Sequence, residues 1–174
     1  MNNMELWDKV STTDPSHTKK VNQRGGFTAI DAHYQIQEAT RAFGPIGKGW
    51  GYTVEKMERM EKFIVVYVTV WHGERDNVFG PVLGCAEMFG NRPDSDAPKK
   101  ATTDGITKAL SQLGFNADVF LGKFDDNKYV AELKAKPQLD ENAKAWIQAI
   151  KAGSSKLEEI TDTQYRKFIE ENLA

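Results

Sequence analysis

Hydrophobic positions along the chain fall into a few periodic stretches separated by glycine and proline. Ala32, Ile36, Ala39 and Phe43 recur at helical spacing, with Asp31 placed to cap the first turn and Gly44-Pro45 placed to end the helix. Gly47, Gly49 and Gly51 surround Lys48 and Trp50 in a loop that leads into a strand from about Tyr52. The run from Phe63 to Trp71 is dense in β-branched and aromatic residues and is the strongest strand in the sequence. His72 to Asn77 reads as a turn, and Val78 to Met88 returns as a third strand in which Pro81 marks an edge or a bulge. These stretches predict three meandering antiparallel strands.

A long helix follows. Ser95 or Asp96 caps it, Pro98 occupies the first turn, where a missing N–H costs little, and Gly114 ends it. Ile106, Ala109, Leu110 and Leu113 form its apolar stripe, which leaves Lys100, Thr103, Asp104, Thr107, Lys108 and Ser111 on the opposite face. Residues 115–129 mix aromatics with Asp125-Asp126-Asn127 and predict a short strand and turns. Two amphipathic segments, 141–152 and 162–173, are joined across Lys151 to Lys156. The expected fold is α+β: an antiparallel β-meander packed on a long helix (a β-β-β-α core) with helical C-terminal segments. Its expected divisions are a polar, partly irregular N-terminal arm at 1–26, a core at 27–135 and an acidic helical segment at 136–174.

Composition narrows the class. Of 174 residues, 40% are hydrophobic and 28% charged, which excludes disorder over the whole length. No apolar run approaches membrane-spanning length, and the first residues carry neither the basic nor the apolar part of a secretory signal, so a cytoplasmic protein is expected. A single cysteine, Cys85, excludes an internal disulfide and reads as a small buried hydrophobe on a strand. The net charge of −2 is unevenly spread: residues 9–48 hold six basic and three acidic side chains, and 137–174 hold five basic and seven acidic. A mildly basic front permits an anionic partner.

The candidate chemistry is sparse. Gly44 to Gly49 lacks both the spacing and the hydroxyl of a phosphate loop, and it follows a helix where that motif needs a strand. His17, His33 and His72 have no metal-ligand spacing. Asp118, Asp125 and Asp126 with Glu87 could assemble a divalent-metal nuclease centre, although Asp125-Asp126-Asn127 also reads as a simple turn. The unusual feature is Lys99 and Lys100 in the first turn of the long helix, where the macrodipole favours acids. Either they are a solvated pair, or they join the helix dipole in holding a phosphate, with Thr103, Thr107, Lys108 and Ser111 extending the donor face. Phe27 after Arg24-Gly25-Gly26 and Trp50 after Lys48 place aromatic rings beside cations, the composition of a single-strand stacking site, or else they belong to the core.

Ala101-Thr102-Thr103-Asp104-Gly105-Ile106-Thr107-Lys108-Ala109-Leu110-Ser111-Gln112-Leu113-Gly114 resembles the hallmark helix of the single-strand annealing proteins, the Rad-fifty-two-like superfamily. Ala117 to Gly122, Asp125 to Tyr129, Ile30 to His33, Phe43 to Gly47 and Gly49-Trp50-Gly51 are similar to its phage branch in particular. The resemblance covers roughly residues 5–130. It implies rings or helical filaments of a β-β-β-α core that hold single-stranded DNA in a basic groove and anneal complementary strands in phage recombination, without ATP or another cofactor. At the family's basic positions on this helix stand Thr107, Lys108 and Ser111, and only Lys108 keeps the charge, which moves the expected contact toward Lys99 and Lys100. A further basic contact of the family falls near Lys19 or Lys20. The expected DNA-binding set is therefore Lys19, Lys20, Arg24, Phe27, Lys48, Trp50, Lys99, Lys100, Thr103, Thr107, Lys108 and Ser111, with no catalytic residue and no metal. The partners implied are single-stranded DNA, further copies of the chain, a phage exonuclease and host single-strand binding protein. The alternatives are a metal-dependent nuclease and a passive single-strand coat.

Overall fold

Alternation along Phe63–His72 decides how the core is built. Ile64, Val66, Val68 and Val70 are all buried, and they put one continuous apolar row on a single face of the strand. The computed structural model describes residues 3–22, 25–90, 92–135 and 141–173. In it, β3 (Trp50–Met60), β4 (Phe63–His72) and β5 (Val78–Glu87) form an antiparallel sheet in sequence order, as expected. Pro81 lies on the outer strand, where the register slips between Val68 and Val70 of β4, so it stands both at an edge and at a bulge.

The long helix, α3 (Ala97–Gln112), covers the Val66–Val70 face. Its buried residues include the expected Ile106, Ala109 and Leu110, together with Ala97, Ala101 and Gly105. Small residues at 97, 101, 105 and 109 let the helix backbone approach β5 closely. A Cβ placed on Gly84 would lie 1.9 Å from the Ala101 carbonyl oxygen and 2.4 Å from the Gly105 nitrogen. Because Gly84 faces the helix, its neighbour Cys85 faces outward and is exposed, contrary to the expected burial.

Within residues 3–22 the chain forms regular elements that meet the main core. Helix α1 (Glu5–Val10) sends Val10 into the main core, and the backbone N–H groups of Asn116 and Asp118 donate to Val10 and Ser11. Two short strands, β1 (Thr18–Val21) and β2 (Phe27–Ile30), then pair as a hairpin. Helix α2 (Ala32–Phe43) follows, its Asp31 side chain accepting from the His33 N–H as its sequence position predicts.

Residues 115–129 contain no strand. They form α4 (Ala117–Phe120), a 3-10 turn at Lys123–Asp125 and the start of α5 (Asn127–Ala135), with left-handed backbone at Asn116 and Gly122 separating the turns. Residues Met1–Leu133 make one compact unit. A second, Lys134–Ala174, holds α6 (Glu141–Lys151) and α7 (Thr163–Glu171) around a small core of Ala143, Ile160 and Ile169. Among the described residues no helix is long and apolar enough to cross a membrane.

Candidate nucleic-acid interface

The exposed side of α3 forms one wall of a groove of about 800 Å³. From this wall Asp96, Lys99, Lys100, Thr103, Asp104 and Thr107 face the opening. The other wall is built by β2, from Phe27 to Ile30, with Ala32 and the end of α4, Val119 and Phe120. Hairpin pairing places Phe27 opposite Val21 and Thr28 opposite Lys20, so the hairpin carries the aromatic wall on one strand and the lysines on the other. Phe27 and Phe120 are each about half exposed, at 47% and 49%, a costly state for rings unless something covers them.

The lysines are exposed but already partnered. Lys99 lies 2.7 Å from Asp96, Lys100 2.5 Å from Asp94 and Lys108 2.6 Å from Asp104. The Lys100 ammonium, as hydrogen-bond donor, holds the Asp94 carboxyl below the usual carboxylate range, and Asp94 in turn raises Lys100. The other Asp94 oxygen accepts from the Asp96 N–H. Two lysines in a helical first turn thus have a local explanation: Asp94 and Asp96 compensate them. Two amides at that end are already bonded, since Ala97 donates to the Asp94 carbonyl and Lys100 to the Asp96 carbonyl. What this helix end offers an anion is its ammonium groups. Exposed ion pairs add little to stability, so a phosphate can replace a carboxylate at small cost to the fold.

Further along the helix, the hydroxyls of Thr107 and Ser111 donate to the carbonyls of Asp104 and Lys108. Asp104 does two things at once. One oxygen accepts from Lys108 and also from the Cys85 N–H on the outer edge of β5, so this acid ties the helix to the sheet.

Not every expected site residue joins this groove. Trp50 is fully buried, its indole N–H 3.2 Å from the Thr40 hydroxyl, so it is a core residue and offers no face to a base. The ring is consumed because β3 begins under α2, beside Ala39 and Phe43 of the same core. Lys48 is exposed on the loop before β3 and does not line the groove. Lys19 is exposed on β1, while the Lys20 amino group donates to the Phe124 carbonyl and lies 3.7 Å from Asp125. Arg24 lies outside the described residues. Sequence reasoning missed Phe120, Val119 and Thr28; Phe120 lies in a stretch read as a short strand and turns, where nothing in the pattern assigned it to a site.

The acidic residues considered as a nuclease centre are dispersed among structural tasks. Asp118 is buried and accepts from the Thr13 N–H at 2.9 Å, the Thr13 hydroxyl at 2.5 Å and the Tyr129 hydroxyl at 2.8 Å. Burial first, and then that bond, raise the Tyr129 phenol. Asp126 accepts from the Lys128 N–H at the start of α5, and Glu87 pairs with Lys62 at 2.9 Å. Among the described residues no three His, Cys, Asp or Glu side chains are grouped to hold a metal. Compared with known proteins, the chain matches no protein-family model and no curated protein.

Proposed function

We propose that this protein binds single-stranded DNA along the groove between α3 and β2 and promotes the annealing of complementary strands, without nucleotide hydrolysis and without making or breaking a covalent bond. One observation carries the reading. Phe27, Lys99, Lys100, Thr103 and Thr107, singled out at two distant places in the sequence, line the same groove. Cations and hydroxyls on one wall with an aromatic ring on the other is the composition that holds a strand without reading its sequence. The resemblance of residues 101–114 to the annealing proteins points to the same activity. Holding strands extended lowers the entropic cost of finding register, as positioning does in other bimolecular reactions.

The same resemblance makes the working form a homo-oligomer, and the sheet supports it. β3 is an edge strand of eleven residues on which Tyr52, Val54, Met57 and Met60 are exposed among the charged Glu55, Lys56 and Arg59, so it offers a second copy an unpaired backbone edge with both apolar and ionic side chains. Light scattering of the purified chain reads the assembly directly, and a monomer at micromolar concentration would remove this part of the reading.

The deciding experiment is annealing of two dye-labelled complementary oligonucleotides in EDTA without nucleotide. Acceleration by the protein is the expected result. Binding without acceleration would leave a protective coat, and absence of binding would end the nucleic-acid reading.

A further inference from the structure

Resting on the groove as a single-strand site, we infer that Phe120 is a second base platform facing the same channel as Phe27, so that a bound strand lies with its phosphates toward α3 and some of its bases turned in against the β2–α4 wall. The two walls differ in kind. The α3 wall presents ammonium groups and hydroxyls, whereas the opposite wall presents Phe27, Ala29, Ile30, Val119 and Phe120. Charge does not favour a polyanion there without this second wall, because Lys99 is paired with Asp96 and Lys100 with Asp94, and Asp104 lines the groove as well. A strand must therefore gain from its bases what the offset lysines do not supply. Among the described residues, Phe27 and Phe120 are the two aromatic side chains that line the groove, and both keep about half their surface open.

The occupant follows from that pairing of walls. A duplex hides its base faces inside the stack and has only phosphates to give, so it forgoes the aromatic wall altogether. An unpaired strand offers both phosphate and base face. Aromatic contacts accept any base, since every base has a π-face, so the groove selects strandedness and not sequence. Bases held on Phe27 and Phe120 are withdrawn from pairing, and a complement must meet their neighbours first.

The test uses the full chain and two oligonucleotides of equal length and charge, one of thymidines and one of abasic sites, with binding read by fluorescence anisotropy. Wild type should prefer the thymidine strand by about tenfold or more, tenfold being the scale of a single stacked base. Phe120→Ala should remove most of that preference while leaving abasic binding unchanged, and Phe120→Trp should restore it. Because Phe120→Ala also removes the buried half of the ring, its melting temperature is measured alongside binding, and the tryptophan rescue separates a stacking defect from a folding defect. Equal binding of the two strands by wild type, or a preference that survives in both Phe120→Ala and Phe27→Ala, would overturn the assignment of Phe120 yet leave single-strand binding standing. Binding of neither strand would instead overturn the groove as a nucleic-acid site.

Discussion

The two sides of α3 are held by different physics. On its buried side, Ala97, Ala101, Gly105 and Ala109 meet a sheet whose own contribution at the closest point is another glycine, Gly84. On its open side, Lys99, Lys100 and Lys108 each meet an aspartate at the solvent-exposed surface. The first arrangement is fixed by shape, because close-packed backbones have nowhere to go. The second is fixed by charge in a high dielectric, where one anion substitutes for another at little cost. One helix can therefore be rigid toward the fold and exchangeable toward a ligand.

The comparison breaks most sharply at Gly84. A methyl group there would overlap backbone atoms of Ala101 and Gly105, and backbone cannot rotate away as a side chain can. Gly84→Ala should cost about 3 kcal/mol of stability, at the upper end for overpacking, seen as a lower urea midpoint with an unchanged slope. Gly105→Ala should cost less. Its Cβ would meet Val68 Cγ2 at 2.7 Å, a side-chain atom, and alanine recovers about 1 kcal/mol of helix propensity. Equal stability of the Gly84→Ala protein and wild type would mean that the close approach does not hold the helix.

Much of this fold is legible in the sequence, for a reason visible in those residues. β4 alternates cleanly, α2 has its Asp31 cap and Gly44 stop, and both signals are local. The exposure of Cys85 is not legible, because the residue that faces the helix is Gly84, and a glycine leaves no mark in a hydrophobic pattern. Asp118 resembles a surface acid in sequence because its partner Thr13 is 105 residues away and nothing near it announces the pair. Residues 115–129 read as a short strand and turns, yet left-handed backbone at Asn116 and Gly122 divides them into short helical turns without a strand. Of the site, the lysine wall is readable from helical spacing. The wall opposite depends on a hairpin and a four-residue helix packing beside α3, which spacing along the chain does not encode.

On the open side, the double substitution of Lys99 and Lys100 by alanine should leave the urea midpoint close to wild type and weaken single-strand binding. The dependence of log affinity on log salt should become shallower by roughly 0.7 for each phosphate that is no longer neutralised. A slope that does not change would remove both lysines from the interface, whatever happens to the affinity at one salt concentration. Trp50→Ala belongs to the shape-fixed class and should behave oppositely. Its ring is fully buried, so the variant should be less stable by about 3 kcal/mol or more, and any weakening of binding should track the fraction unfolded.

The smallest expected effect is the one that best separates the two kinds of contact. Asp94→Asn keeps the oxygen that accepts from the Asp96 N–H and removes only the charge that competes for Lys100. If carboxylate and phosphate compete for that ammonium, the variant should bind a single strand a few-fold more tightly while its melting temperature moves little. The pH dependence follows from the direction of the Asp94 shift. Its carboxyl is held below its ordinary value of 3.8, so the pair with Lys100 is fully present above that pH and is lost only as pH falls through the lowered value. Wild type and variant should accordingly differ by a constant factor between about pH 5 and 8. A difference that changes across that range would implicate another titrating group. A variant that binds no more tightly than wild type would mean that Lys100 does not meet the phosphate at all.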